Sequence, residues 1–482
     1  MPKVNIREID NTGSGEASFV ENIVAVPGLI IGTENDDPEK NTLVDGLYQD
    51  YDSFNEACEN AGYILVEALP ENPKQGVTYV TPDTADKGYL YAKVVLQMGL
   101  PIIYKGAYTA NTKLDYENDV DGKATKFFKQ FEDKGLYDVR FITTAETNNP
   151  KVIIAALKAA GNRGDAQALF SVPEYGSVEA KLVANTEVEE TGNDAEATTA
   201  TEYVYTDAQP VRLKTSELID KWIQYNFQSV ALTTVPRKAP TWGTYLGETY
   251  GRYGSMFTPS FVTSFTLGDV SIKNYLAPAT LVYLSCFSKN VNQFASWFAM
   301  AGSVRGVARL SVDPSLKFGD ADIEILEPRE AAGQGDPDIN LNHVAANVIC
   351  NIRPYGNIIW GNRTMHPLGI PENGSSTEIQ LVASSFLNIR NLVIDIKKRL
   401  YRSSRRYTFE PNSNILWINF KASIEPLLQA MASNQGIRSY EINKIKTNKK
   451  ALLAAQVVIT PIEAVEDFDL TIELTDSINV LE

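Results

Sequence analysis

The 482-residue sequence predicts an α/β core followed by a C-terminal α+β unit, in a multidomain chain with extended arms at both ends. Three observations predict this. Strand-like and helix-like stretches alternate through the first three hundred residues, the rhythm of a parallel sheet covered by helices. After residue 381 two long amphipathic stripes precede strand-like runs. Near both ends, short runs alternate apolar and polar residues. At ~100–200 residues per domain the length allows two to four domains. The composition divides the chain into an N-terminal arm (1–20), a small α/β-type domain (21–115), an α/β core (116–375) with a surface insertion (176–210), and a C-terminal α+β domain (376–482) ending in a strand arm.

Val4 and Ile6 alternate with polar neighbours before the tether Gly13-Ser14-Gly15. Alone, such a segment reads as a frayed terminus. Residues 23–26 (IVAV) form a strand, closed by Pro27-Gly28. A short helix follows near 51–60. Residues 90–98 are helical, with Leu90, Val94 and Met98 on one face and Gly99 as the stop. Residues 102–104 (IIY) are a buried strand. Residues 138–143 (DVRFIT) make a strand, Asn149-Pro150 open a helix, Gly161 closes it, and 168–172 (ALFSV) make the next strand. This is a βαβ unit, so its strands should be parallel. Residues 178–206 lack core periodicity and read as a surface hairpin. Then come a helix at 216–226, a strand at 229–235, a strand at 280–287 and a helix at 291–300.

The last hundred residues change character. Phe386, Ile389, Val393, Ile396 and Leu400 form one helical stripe capped near Ser384 or Ser385, opposite Lys397, Lys398, Arg402 and Arg405. Trp417, Phe420, Ile424, Leu427, Leu428 and Met431 form a second, which Pro426 should kink or split. Residues 456–459 are a strand. Phe468, Leu470, Ile472 and Leu474 alternate strictly with Asp469, Thr471 and Glu473 as a half-buried strand.

Charge is segregated. Lys+Arg 44 against Asp+Glu 60 gives −16, which argues against coating nucleic acid or membranes through bulk charge. Residues 10–60 hold twelve acids and one base, 174–209 nine acids and one base, and 461–482 seven acids and no base. Residues 381–450 hold thirteen bases against four acids, a net +9, leaving −25 elsewhere (−16 minus 9). These runs suit solvated faces, or a basic segment meeting an acidic partner or another copy.

Chemistry is sparse. There is no GxGxxG after a strand, no GxxxxGK[ST], no HExxH and no GxSxG. His343 and His366 have structural or exposed surroundings. Cys58, Cys286 and Cys350 are odd in number, far apart and apolar in context, so they read as inert core residues. Arg163-Gly164-Asp165 falls in a helix-to-strand turn. No metal or cofactor site is expected, and no enzyme. The first ten residues have no charged-then-apolar layout, and no run is long enough for a bilayer span, which predicts a soluble chain. Strand-like ends and segregated charge suit assembly: an alternating strand can add to a neighbour's sheet.

From residue 274 onward the sequence resembles the contractile bacteriophage tail sheath family. The motifs are Tyr275-Leu276-Ala277-Pro278-Ala279, then Trp297-Phe298-Ala299-Met300-Ala301-Gly302-Ser303-Val304-Arg305-Gly306, and Ile358-Ile359-Trp360-Gly361-Asn362-Arg363-Thr364. Phe386-Leu387-Asn388-Ile389-Arg390-Asn391-Leu392, Phe409-Glu410-Pro411-Asn412 with Trp417, and 435–448 complete the set. Asn391 stands where the family has a second arginine, and Met300 where it has proline. The family implies a subtilisin-like-fold sheath domain with no triad, six-fold rings of identical subunits stacked helically on a tail tube, and contraction that drives the tube through a host envelope for genome delivery. A tailocin or other contractile injection system is the alternative setting, and a subtilisin-fold hydrolase a distant one. The implied partners are other copies, the tube protein, the baseplate and the tail terminator, with no direct nucleic acid or membrane contact. The implied place is the virion tail, assembled in host cytoplasm. Terminal arms of such proteins complete a sheet in a neighbour's C-terminal module, which gives Val4, Ile6, Phe468, Leu470, Ile472 and Leu474 a linking role. The C-terminal module lies innermost, which makes Lys397, Lys398, Arg402, Arg405, Arg406, Lys444 and Lys446 tube-facing or inter-subunit. The acidic region at 34–59 and the insertion would then face outward.

Overall fold

A computed structural model describes residues 22–28, 44–82, 88–106, 123–145, 147, 150–172, 183–184, 203–204, 215–227, 250–291, 293–308, 313–327, 343–366, 383–446, 452–462 and 464. The expected arms with their tether, and the strand at 229–235, lie outside these residues.

In chain order the elements begin with β1 (Ile23–Gly28), β2 (Gly46–Tyr48), α1 (Tyr51–Asn60), β3 (Tyr63–Leu65), β4 (Thr78–Val80), α2 (Tyr89–Gln97) and β5 (Ile102–Gly106). There follow α3 (Lys123–Lys129), β6 (Val139–Thr143), α4 (Pro150–Arg163), β7 (Gln167–Ser171), β8 (Val183–Ala184), β9 (Tyr203–Val204) and α5 (Ser216–Phe227). Then come β10 (Gly254–Thr258), β11 (Phe261–Leu267), β12 (Val270–Ala277), α6 (Thr280–Val291), α7 (Gly302–Arg305), β13 (Asp313–Pro314), α8 (Asp320–Leu326), β14 (Asn347–Ile352) and β15 (Gly356–Ile359). The chain continues through α9 (Leu387–Arg406), α10 (Asn414–Ser433), β16 (Ile437–Ile445) and β17 (Ala454–Pro461).

One sheet organises the core, in the order β15-β14-β10-β7-β6-β1-β5-β2. The strands from β14 to β5 are parallel, and β15 and β2 close the edges antiparallel. Successive residues point to opposite faces, so each strand feeds two cores. Val24, Ile102, Leu169, Phe257 and Ile349 pack under α1, α2 and α6. Ile23, Ile103, Ala168, Met256 and Val348 pack under α3, α4, α5 and α8. The expected boundary near 115 does not divide the sheet, because β1, β2 and β5 pair in the same sheet as β6, β7, β10 and β14. The predicted βαβ unit is present, with β6 and β7 parallel. Within the insertion, β8 and β9 pair antiparallel.

Several element readings need correction. Residues 280–287 are not a strand but the first turns of α6, and 293–301 contain no regular helix. Every residue of 280–287 is buried, and a helix buried on all sides shows the same unbroken apolar run as a buried strand. Gly161 does not end α4, which continues to Arg163 before Gly164 turns at φ +76°. Gly161 instead admits the Tyr250 ring, whose Cδ1 would lie 2.3 Å from an added Cβ. No serine side chain caps α9; Phe386 holds the cap position and Ser385 lies in the preceding turn. Pro426 does not split α10, whose twenty residues run from Asn414 to Ser433 straight through it. Pro426 is exposed, so the carbonyl group its ring displaces is free to turn to water.

Candidate assembly surfaces

The parallel strands begin on one side of the sheet, and α9 crosses their starts. Asp138 precedes β6, Gly164 and Asp165 precede β7, and Tyr253 precedes β10. Arg390 lies over the Tyr253 ring, 4.5 Å from its centroid. Asp395 pairs with Arg140 of β6, and Ser296 donates to the same carboxylate. The Asn391 amide donates to the Tyr283 hydroxyl at 3.0 Å. Lys397 Nζ donates to the Gly164 carbonyl at 2.8 Å. Lys398 and Arg402 share the carboxylate of Asp138. The result is a polar seam between the sheet and the C-terminal unit.

Its electrostatics are unequal. Burial pushes the Asp138 carboxyl up, but the charges and hydrogen bonds of Lys398 and Arg402 outweigh it and hold the group below its ordinary value. Burial, reinforced by Arg390, Lys134 and Arg252 and opposed by Asp165, brings Lys397 down to about 8. Burial takes Arg390 down to about 10. One end of the seam is thus well paired and the other crowded with cations.

Sequence spacing put Lys397, Lys398, Arg402 and Arg405 opposite the apolar stripe of α9. Lys398 is 2% exposed and turns into the core, and Arg402 joins it on Asp138. Their counter-charge sits 260 residues earlier, where helical spacing carries no sign of it. Arg405 and Arg406 are exposed, Arg405 lying 4.9 Å from the Tyr401 ring centroid. Lys444 and Lys446 are exposed too, and Lys444 Nζ donates to Asn414 Oδ1 at 3.3 Å. Val4, Ile6, Phe468, Leu470, Ile472 and Leu474 lie outside the described residues.

The C-terminal unit has its own small core of Leu392, Ile396, Phe420, Ile424, Leu428, Met431, Ile437 and Ile442. Over it lies an antiparallel ribbon, in which Ile442 pairs with Val457 and Tyr440 with Ile459. Among the described residues no third strand joins this ribbon at either edge, and a sheet edge is where a further strand adds. Large apolar side chains gather near the start of α10: Phe409 is 91% exposed, Ile415 70% and Ile418 62%. Sequence reasoning had Phe409 only as part of a family motif and passed over Ile415 and Ile418. Ile415 and Ile418 fall off the buried stripe of their helix, which was the available signal.

The remaining candidates have structural surroundings. His343 Nε2 lies 3.5 Å from both Asp220 Oδ1 and the Gln224 amide, and burial lowers its pKa. His366 sits in a bend. Arg163 Nε is 2.8 Å from Asp165, and both side chains are buried, so the tripeptide is closed on itself. All three cysteines are buried thiols outside any disulfide; burial pushes the Cys58 thiol up to about 12 and Cys350 to about 11. Among the described residues no three His, Cys, Asp or Glu side chains are grouped to hold a metal, and no helix is long and apolar enough to cross a membrane.

No protein-family model matches the sequence, and no curated protein does. Solved structures do match its fold. A chain in the cryo-EM structure of the PVC sheath complex, an extracellular contractile injection system in the contracted state, superposes with a TM-score of 0.53 at 13% identity. The match covers 99% of this chain and 98% of that one. A chain in the six-fold symmetrised cryo-EM structure of the anti-feeding prophage (AFP) baseplate gives 0.53 at 11% identity, over 98% and 99%. The chain therefore shares its fold with a chain of the PVC contractile sheath complex and with one of the AFP baseplate, in keeping with its sequence resemblance to the contractile tail sheath family.

Proposed function

We propose that the chain is the structural subunit of a contractile sheath, which polymerises around a tail tube and shortens to drive it through a cell envelope. The carrying observation is the match to a chain of a contracted sheath complex over nearly the full length of both. The open ribbon supports it, because a two-stranded ribbon with free edges takes further strands by main-chain hydrogen bonding. In this reading the strands around Val4 and Ile6, and from Phe468 to Leu474, cross to neighbouring copies and add to that ribbon. Arg405, Arg406, Lys444 and Lys446 face the tube or the next subunit, while Lys398 and Arg402 hold the unit to its own core. The subunits form six-fold rings in a helical stack, bounded by a baseplate and a tail terminator, and do no catalysis.

Two settings use this machine. In a phage tail, the setting of the family the motifs resemble, the sheath is in the virion and delivers a genome. The PVC neighbour is part of an extracellular contractile injection system, which favours an injection particle instead. Electron microscopy of particles from producing cells separates them by the presence of a DNA-filled head.

The function itself is tested by negative-stain microscopy of the purified chain at rising concentration, intact and without residues 1–15. Hollow cylinders are expected from the intact chain and should be lost on deletion. Discrete particles at every concentration would count against the sheath. Cylinders that survive deletion would remove the N-terminal arm as an essential link.

A further inference from the structure

We infer that the start of α10 is a docking surface for a second copy of this chain, with Phe409 as its aromatic anchor. The inference rests on the self-assembly reading above and adds a contact that the terminal arms do not supply.

Phe409 has φ +75° and 91% exposure. A bulky residue in the left-handed region is strained, and strain of this kind persists only where the surroundings impose it. Here the turn after α9 imposes it: Thr408 N donates to Arg405 O at 3.3 Å, and Glu410 N to Tyr407 O at 3.4 Å. Tyr407, two residues earlier, turns the other way, edge-on to Phe420 with its hydroxyl on the Asn419 carbonyl at 3.1 Å. One ring is drawn into the unit's core and the next is held out in water.

Other apolar side chains are exposed within ten residues along the chain. Ile415 and Ile418 stand almost a turn apart on the exposed side of α10. Leu452 is 44% exposed, and its carbonyl accepts from Asn412 Nδ2 at 3.4 Å, which ties the turn end of the ribbon to this spot. Cations lie alongside: Arg405 and Arg406 in the last turn of α9, and Lys444 through its bond to Asn414. An aromatic anchor, aliphatic neighbours and arginines at the margin are the composition of an interface hot spot rather than of ordinary surface.

Charge selects the occupant. Outside residues 381–450 the chain carries −25, so another copy brings the carboxylates that this margin requires. A patch that meets a different surface on its partner leaves the partner's own patch free, and such contacts propagate into open arrays.

The test places p-benzoylphenylalanine at position 409 of the full chain, irradiates the assembling protein and maps the cross-links. Sedimentation of Phe409→Ser, and of Phe409→Tyr as the conservative control, runs beside it, with melting curves to verify the fold. Cross-links between two copies are expected, together with self-association at least tenfold weaker for Phe409→Ser and retained for Phe409→Tyr. Phe409→Ser polymerising like the wild type would overturn the inference, as would cross-links confined to one copy or landing on a different protein. If cylinders still form in those cases, the sheath reading stands without this contact. A wild-type chain that neither polymerises nor cross-links sinks both.

Discussion

Asp138 stands one residue before β6 and collects two cations from a helix 260 residues further on. Its pKa is lowered from 3.8, so the stabilisation it gives is complete above that value and fades as pH falls through the lower folded-state pKa. Asp138→Asn leaves Lys398 buried without its counter-charge and should cost about 3 kcal/mol at neutral pH. Urea unfolding at pH 7 and near pH 3 measures this, and the gap from wild type should shrink at the lower pH. Lys397 has the opposite sign. Its pKa falls from 10.5 to about 8, so between those values the unfolded chain binds more protons and stability rises with pH. Lys397→Gln should therefore raise the melting temperature modestly at pH 7, since solvent screens this exposed group, and the gain should vanish by about pH 10.5. A loss at pH 7 would mean that the Gly164 hydrogen bond outweighs the crowding.

At the scale of elements, α4 puts a common rule to the test. Replacing an interior helical glycine by alanine ordinarily stabilises by about 1 kcal/mol. Here the new methyl would meet the Tyr250 ring at 2.3 Å, so Gly161→Ala should destabilise by about 1–3 kcal/mol. A thermal melt that rose instead would show the ring free to move. The same helix shows what sequence can carry. Asn149-Pro150 at its start, between two strand-like runs, made α4 readable, and only its last turn was missed. α6 was misread because an element buried on every side has no polar face to reveal its period. The second stripe, by contrast, placed Phe420, Ile424, Leu428 and Met431 in the core where they lie. Pro426 suggested a break, which α10 does not show because the proline sits on its exposed side.

For the whole molecule, the seam joins the sheet to the C-terminal unit through the buried Arg140–Asp395 pair and the Asp138 clamp. Calorimetry should therefore show the two melting together. Combining Arg140→Met with Asp138→Asn should split the transition, with the C-terminal unit melting first; two transitions in the wild type would mean that the seam couples weakly. The motifs from residue 274 onward carried the whole-molecule reading, which the fold match at 13% overall identity supports. The functional surface was less legible. Bases can be counted in a sequence, but which of them are spent on an internal carboxylate is settled only by folding, and so is the exposure of Phe409. The ribbon of β16 and β17 has a consequence for strength. Among the described residues neither of its edges carries a further strand; if each takes a strand from a different copy, as proposed above, it becomes a junction of valence two, and junctions of that valence knit a net where a single edge would string a thread. In a net each node is held from two directions, so losing one strand slackens a mesh without tearing it. A shell knitted this way fails only when adjacent junctions open together.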